Sequence, residues 1–135
     1  MLRNFQDLLD MATMQDEPQR LLLVLAKTDS ESTNGSSQRT GTISPVICND
    51  KLPSEIESFA ALVAEADEVT QDWDLILIAS LDGERGHAPS SEQAQAHLNK
   101  MVSDVQNGQD LSRYLILDRQ EQVVTMRLRD GVMMI

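Results

Sequence analysis

Every residue of Leu75-Ile76-Leu77-Ile78-Ala79 is apolar, and so is every residue of Leu21-Leu22-Leu23-Val24-Leu25-Ala26. A strand sends successive side chains to opposite faces, so a run without a polar position reads as a strand buried on both sides. Such strands lie inside a sheet and oblige the rest of the chain to cover two faces. The run at 75–79, rich in β-branched residues and introduced by Asp72-Trp73-Asp74, is the clearer of the two. The run at 21–26 is also read as a central strand, although Leu-rich stretches can be helical.

The covering elements are predicted from helical spacing. Phe5, Leu8, Leu9 and Ala12 recur at i, i+3, i+4 and i+7, which argues an amphipathic first helix, flanked by Arg3 or Asn4 and ending before Pro18. After Pro53, Ser54 and Glu57 have the spacing of a capping box, and Ile56, Phe59, Ala60, Val63 and Ala66 supply a buried stripe. Glu57, Glu65 and Glu68 then face water. A third helix is capped by Ser90 or Ser91, buries Ala94, Leu98, Met101, Val102 and Val105, and stops at Asn107-Gly108.

Further strands are expected at Ile43–Cys48, antiparallel to the run at 21–26, and in a hairpin of Tyr114–Asp118 with Val123–Arg129 about the polar link 119–122. Residues 28–42, dominated by Ser, Thr, Asn and Gly, read as a flexible loop within a single domain spanning 1–135. The strand at 75–79 with its following loop and helix reads as half of a crossover unit. The fold class is therefore α/β or α+β: one mixed sheet of about five strands covered by three helices. There is no internal repeat.

Charge narrows the partners. With 22 acidic and 11 basic residues the net charge is −11, which disfavours a phosphate-tracking surface, so nucleic acid is not the expected partner. The four aromatics, Phe5, Phe59, Trp73 and Tyr114, are too dispersed for a base-stacking platform and read as core. The acidity is most simply a solubility device; a carboxylate face mimicking DNA or neutralising a basic protein would have to come from Glu55, Glu57, Glu65, Asp67, Glu68 and Asp72. A single cysteine, Cys48, rules out an intrachain disulfide and reads as a small buried hydrophobe in a reducing compartment. The longest wholly apolar run is far shorter than the roughly 20 residues that span a bilayer, and the first residues lack a signal pattern. A soluble cytoplasmic protein is expected, with no membrane role.

The loop from Leu81 to Ser91 lies at the carboxyl end of the central strand and feeds a helix start, a place where ligands collect in open α/β sheets. Asp82, Arg85, His87, Ser90 and Ser91 are the candidate ligand-binding residues. The helix amides can hold an anion, arginine can grip one bidentately, and a histidine exchanges protons near neutral pH. The glycines fit neither the phosphate-loop spacing nor the dinucleotide fingerprint. Asp82, Glu84 and His87, even joined by His97, lack metal-ligand spacing, so no metal and no cofactor is assigned. His97 is expected at the margin of the third helix's apolar stripe as a partly buried structural residue. Arg113, Arg119, Arg127 and Arg129 make the last quarter basic, and the apolar tail 131–135 is expected either to fray or to dock on this or a second copy.

Read together, Asn4-Phe5-Gln6-Asp7-Leu8-Leu9, Glu17-Pro18-Gln19-Arg20-Leu21-Leu22, and Ser58-Phe59-Ala60-Ala61-Leu62-Val63-Ala64-Glu65-Ala66 with Trp73-Asp74 resemble a family of short proteobacterial proteins. Its members often carry the label ribonucleotide reductase alpha subunit. The resemblance covers nearly the whole chain, is weakest through 28–42, and carries no catalytic motif. A reductase catalytic subunit needs a thiyl-radical cysteine and a reducing pair, whereas this chain holds Cys48 alone. No reductase residue carries over; an accessory role beside such an enzyme is all that the resemblance allows.

The expectation is a small cytoplasmic interaction protein without an evident catalytic site, binding a protein partner or a second copy of itself. The alternative is a small-molecule or anion binder, conceivably an enzyme, built on the 81–91 loop. The third is an acidic partner or DNA mimic.

Overall fold

The computed structural model describes residues 5–31, 40–107, 111, 114–124, 127–129 and 132–134. The elements follow in the order α1 (Phe5–Thr13), β1 (Gln19–Glu31), β2 (Thr40–Lys51), a 3-10 turn (Pro53–Glu55), α2 (Phe59–Val69), β3 (Leu75–Asp82), α3 (Ser91–Gln106), β4 (Leu115–Asp118), β5 (Arg127–Arg129) and β6 (Val132–Met134). The sheet runs β4-β3-β1-β2-β6-β5, and each of its pairings is antiparallel. The expected mixed sheet is thus corrected to an antiparallel one. Strands β1–β4 form its body, one fewer than the about five expected, and two three-residue strands extend it beyond β2. Because β4 returns antiparallel beside β3, the segment from β3 through α3 is not half of a parallel crossover.

Both apolar runs are strands at the centre. Leu21 through Ala26 are each no more than 3% exposed, and β1 is flanked by β2 and β3. The two-residue period divides them between two cores. Leu21, Leu23, Leu25, Ile76, Ile78 and Leu117 meet Phe5, Leu9 and Ala12 of α1 and Leu62 of α2 on one face. Leu22, Val24, Ala26, Leu75, Leu77 and Ile116 meet Ala94, Leu98, Met101 and Val105 of α3 on the other. Three layers result, α1 and α2 over the sheet over α3.

Three boundaries differ from expectation. The β1–β2 ladder continues to Glu31 opposite Thr40, so 28–31 and 40–42, expected in a flexible loop, belong to strands; 32–39 lie outside the described residues. Backbone pairing there overrides a polar composition. Ser54 does not cap a helix: the Glu55 carboxylate turns back to accept from the Leu52 amide at 2.7 Å, closing a 3-10 turn. Ser58 caps α2 instead, its hydroxyl accepting from the Ala61 amide at 3.0 Å, and Ala60 faces outward. The third boundary concerns the hairpin after β4. It begins as expected, with Val123 bridging Leu117 and the Val124 amide donating to Ile116 at 2.8 Å. It is then left behind, because Arg127–Arg129 pairs with Val132–Met134, which pairs with β2. The backbone at 132–134 is therefore docked on this same chain. Arg113, Gly131 and Ile135 lie outside the described residues.

A register slip between Leu25 and Ala26 puts Leu25 opposite Ile47 and Ala26 opposite Pro45, leaving Val46 as the extra residue of a bulge. Pro45 has no amide to donate and is tolerated in a strand that is not hydrogen-bonded on both sides. Cys48, expected to be buried, is exposed: at the end of β2's apolar stretch it pairs with Val24 and so faces the α3 side, but it is not part of the core cluster there.

Candidate functional site

The loop after β3 is a tight hairpin. The Glu84 amide donates to the His87 carbonyl and the His87 amide to the Glu84 carbonyl, each at 2.9 Å, around Arg85 (φ 54°) and Gly86 (φ 80°). Two central residues with positive φ make this a type I′ turn, the form that suits the twist of antiparallel strands. Glu17 holds it from outside, accepting from the Gly86 amide at 2.8 Å. The Gly83 amide donates to the Pro18 carbonyl at 2.9 Å. At Gly83 the backbone packs so closely that a Cβ would sit 2.1 Å from the His87 carbonyl oxygen and 2.6 Å from that of Pro18. Only glycine fits there.

The turn forms one wall of a cleft of about 530 Å³ whose lining includes Asp82, Glu84, Arg85, His87, Gln93 and His97. Three of the five expected ligand residues, Asp82, Arg85 and His87, are thus brought together, all exposed. His97, expected as a partly buried structural residue, is exposed and lines the same cleft, because α3 turns its Ala94, Leu98 and Met101 side to the sheet. Among the described residues, the side chains of Asp82, Arg85, His87 and His97 make no hydrogen bond or ion pair to the protein. The cleft offers a guanidinium, two imidazoles and carboxylates to a ligand.

Ser90 and Ser91 are not in that lining. The Ser90 hydroxyl accepts from the Gln93 amide at 3.1 Å while the Gln93 side chain accepts from the Ser90 amide at 2.9 Å, a capping box for α3. Ser91 donates to Asp50 at 2.7 Å. That contact belongs to a network the sequence concealed. Arg20 pairs with Asp50 at 2.6 Å, donates to the Pro89 carbonyl, and reaches Ser91 at 3.3 Å. Arg20 and Asp50 side chains are only 14% and 13% exposed. An arginine presents several donors in a fixed fork, so one side chain ties β1, β2, the 81–91 loop and the start of α3 together.

A second such knot lies at the other end of the sheet. The Arg119 guanidinium grips Asp67 at 3.0 and 3.3 Å, donates to the carbonyls of Trp73 and Gln71, and stacks 4.0 Å from the Trp73 ring centroid. The Trp73 indole donates to Asp67 at 3.0 Å. The hydrogen bonds from Arg119 hold the Asp67 carboxyl below its ordinary range; partial burial opposes the shift, and the Trp73 bond and the Arg119 charge reinforce it. Of the six carboxylates proposed for an acidic face, Asp67 is thus neutralised within the chain, as are Glu65 by Lys51 at 2.9 Å and Asp72 by Lys27 at 2.9 Å.

Among the described residues there is no group of three His, Cys, Asp or Glu side chains arranged to hold a metal ion, and no helix long and apolar enough to cross a membrane. No protein family, curated protein or solved structure matches the chain.

Proposed function

We propose that this protein acts by association, and that its binding element is the free edge of β2, which pairs with β2 of a second copy. The observation that carries this reading is an open, uncharged ladder edge. Along 43–49 β2 is paired with β1 on one side, while on the other, among the described residues, β6 reaches only Thr40 and Gly41. The opposite edge of the sheet, at β4, is partly covered by Val123 and Val124. An open edge presents unpaired backbone groups that a further strand satisfies.

Charge favours a second copy as that strand. In a chain with 24% charged residues, Thr40–Asn49 contains none, and its Val46 is 39% exposed. Two molecules of charge −11 repel over most of their surfaces, and an uncharged strand lets them meet without opposed carboxylates. Pro45 and the bulge at Val46 limit the pairing to a short stretch, so the dimer is weak, with dissociation constants of roughly 1 μM to 1 mM. Sedimentation velocity across that range should show a shift from monomer toward dimer, abolished by Val46→Lys, which sets a charge on the edge. A wild type that stays monomeric throughout, or a Val46→Lys variant that dimerises equally well, removes the reading.

The 81–97 cleft supports a second reading, a small-anion site. It rests on Arg85, which stands in the cleft without an ion pair among the described residues. Titration of inorganic phosphate and small carboxylates should shift the amide resonances of Asp82–His87 in the wild type but not in Arg85→Ala. Shifts of equal size in both proteins dispose of it.

A further inference from the structure

A third feature belongs to neither reading. Between the end of α1 and the 3-10 turn lies a groove of about 400 Å³, whose walls include Ala12, Pro18, Leu52, Pro53 and Ala88 and are predominantly apolar. Met11, next in sequence to the lining residue Ala12, and Met14, just past α1 between the lining residues Thr13 and Gln15, are 47% and 80% exposed. Exposed methionines are costly to leave in water, and their unbranched, polarisable side chains adapt to partners of varied shape.

The two chain segments that supply most of its walls are of one sign. Segments 5–19 and 52–58 contain Asp7, Asp10, Asp16, Glu17, Glu55 and Glu57 and no lysine or arginine. This contrasts with α2, where Glu65 and Asp67 are paired within the chain. None of Asp10, Asp16, Glu17, Glu55 or Glu57 has a cationic partner among the described residues. Apolar walls, adaptable methionines and unneutralised carboxylates select one kind of occupant: apolar along one side, basic on its flanks. A second copy of this chain is disfavoured there by its own charge.

We infer that this groove docks a basic amphipathic helix of a partner protein, its apolar side entering between α1 and the 3-10 turn and its lysines or arginines meeting the carboxylates of Asp16 and Glu17.

The test uses the full chain and a fluorescein-labelled synthetic helix of repeating Leu-Lys-Lys-Leu-Leu-Lys-Leu, followed by anisotropy at about 0.15 M salt. Because any acidic protein attracts such a peptide, matched charge changes are compared. Asp16→Asn with Glu17→Gln should weaken binding about tenfold, and Glu68→Gln with Glu92→Gln, the same loss of charge elsewhere, less than about twofold. Met14→Ser should weaken it without changing charge, and Ser54→Trp, which fills the groove from an exposed position, should block it. Circular dichroism verifies that each variant is folded, and amide shifts should map to 11–17 and 52–55. Absence of binding, equal losses in the two charge-matched pairs, or equal affinity for a peptide with every lysine replaced by glutamine would each overturn the assignment.

Discussion

Two glycines three residues apart are required for different reasons, and alanine substitution should separate them. At Gly83 a methyl group would lie 2.1 and 2.6 Å from two backbone carbonyl oxygens, neither of which can swing aside as a side chain does. Making room moves Pro18 away from the turn or opens the turn itself. Either way the bond from Gly83 to Pro18 and the reciprocal pair between Glu84 and His87 are put at risk. At a net worth of about 1 kcal/mol each, their loss totals about 3 kcal/mol. With about 2.1 cal/mol/K of unfolding entropy per residue, Gly83→Ala should lower the melting temperature by about 10 °C. Gly86 has nothing within 4 Å of an added Cβ, yet its φ is +80°. Gly86→Ala therefore meets only the left-handed backbone penalty, about 1 kcal/mol or about 4 °C, and Gly86→Asn, which tolerates that region, should recover part of it. Asparagine at 83 should rescue nothing. Calorimetry or urea unfolding of the four variants decides the matter. Equal losses for the two alanine variants, or a Gly83→Asn protein as stable as Gly86→Asn, would refute the steric argument.

Three further outcomes are expected. Arg20→Met leaves Asp50 largely buried without its cation and frees the Pro89 carbonyl, so it should cost about 2 to 3 kcal/mol in urea unfolding; a loss below about 0.5 kcal/mol would mean that the network does not hold the loop. Asp67→Asn should destabilise the protein at neutral pH. Because the folded-state pKa of Asp67 is depressed, its contribution is complete above the unfolded-state value and disappears as pH falls through the folded one, so wild type and variant should converge in strongly acidic solution. A difference that persists there would assign the effect to packing. Cys48, exposed on β2, should react stoichiometrically with a thiol reagent in dilute native protein, and protection equal to that of a buried thiol would contradict its placement.

How far the sequence could be read depended on the range of the interaction concerned. The turn at 84–87 illustrates a local one. A Gly-rich link after an apolar run indicates a turn, but the type I′ geometry follows from the antiparallel return and from Glu17, 69 positions away in sequence. The candidate ligand residues divided in the same way. Asp82, Arg85 and His87 share a loop and reach one cleft because the loop is short, whereas Ser91 is drawn off by Asp50 and His97 is added from α3. No spacing rule links Arg20 to Asp50 and Pro89, or Asp67 to Trp73 and Arg119. Each becomes a neighbour only when strands pair, and a polar residue beside an apolar run gives no local sign of its partner.

By itself the sequence determined that β1 and β3 would be buried on both faces, that α1 and α3 would each turn one stripe to the sheet, and that Ser90 or Ser91 would start α3. These depend on side-chain periods of 2 and 3.6 residues and on one capping hydroxyl, all expressed within a few positions. The tertiary structure alone decided the antiparallel order of the strands, the transfer of the C-terminal strands to the β2 side, the exposure of Cys48 and His97, and the placement of the β2 edge and of the apolar groove at which binding is proposed. Periodicity says which faces must be covered; it does not say by which segment. That choice depends on loop closure, register and the pairing of charges distant in sequence, which are settled only when the whole sheet forms.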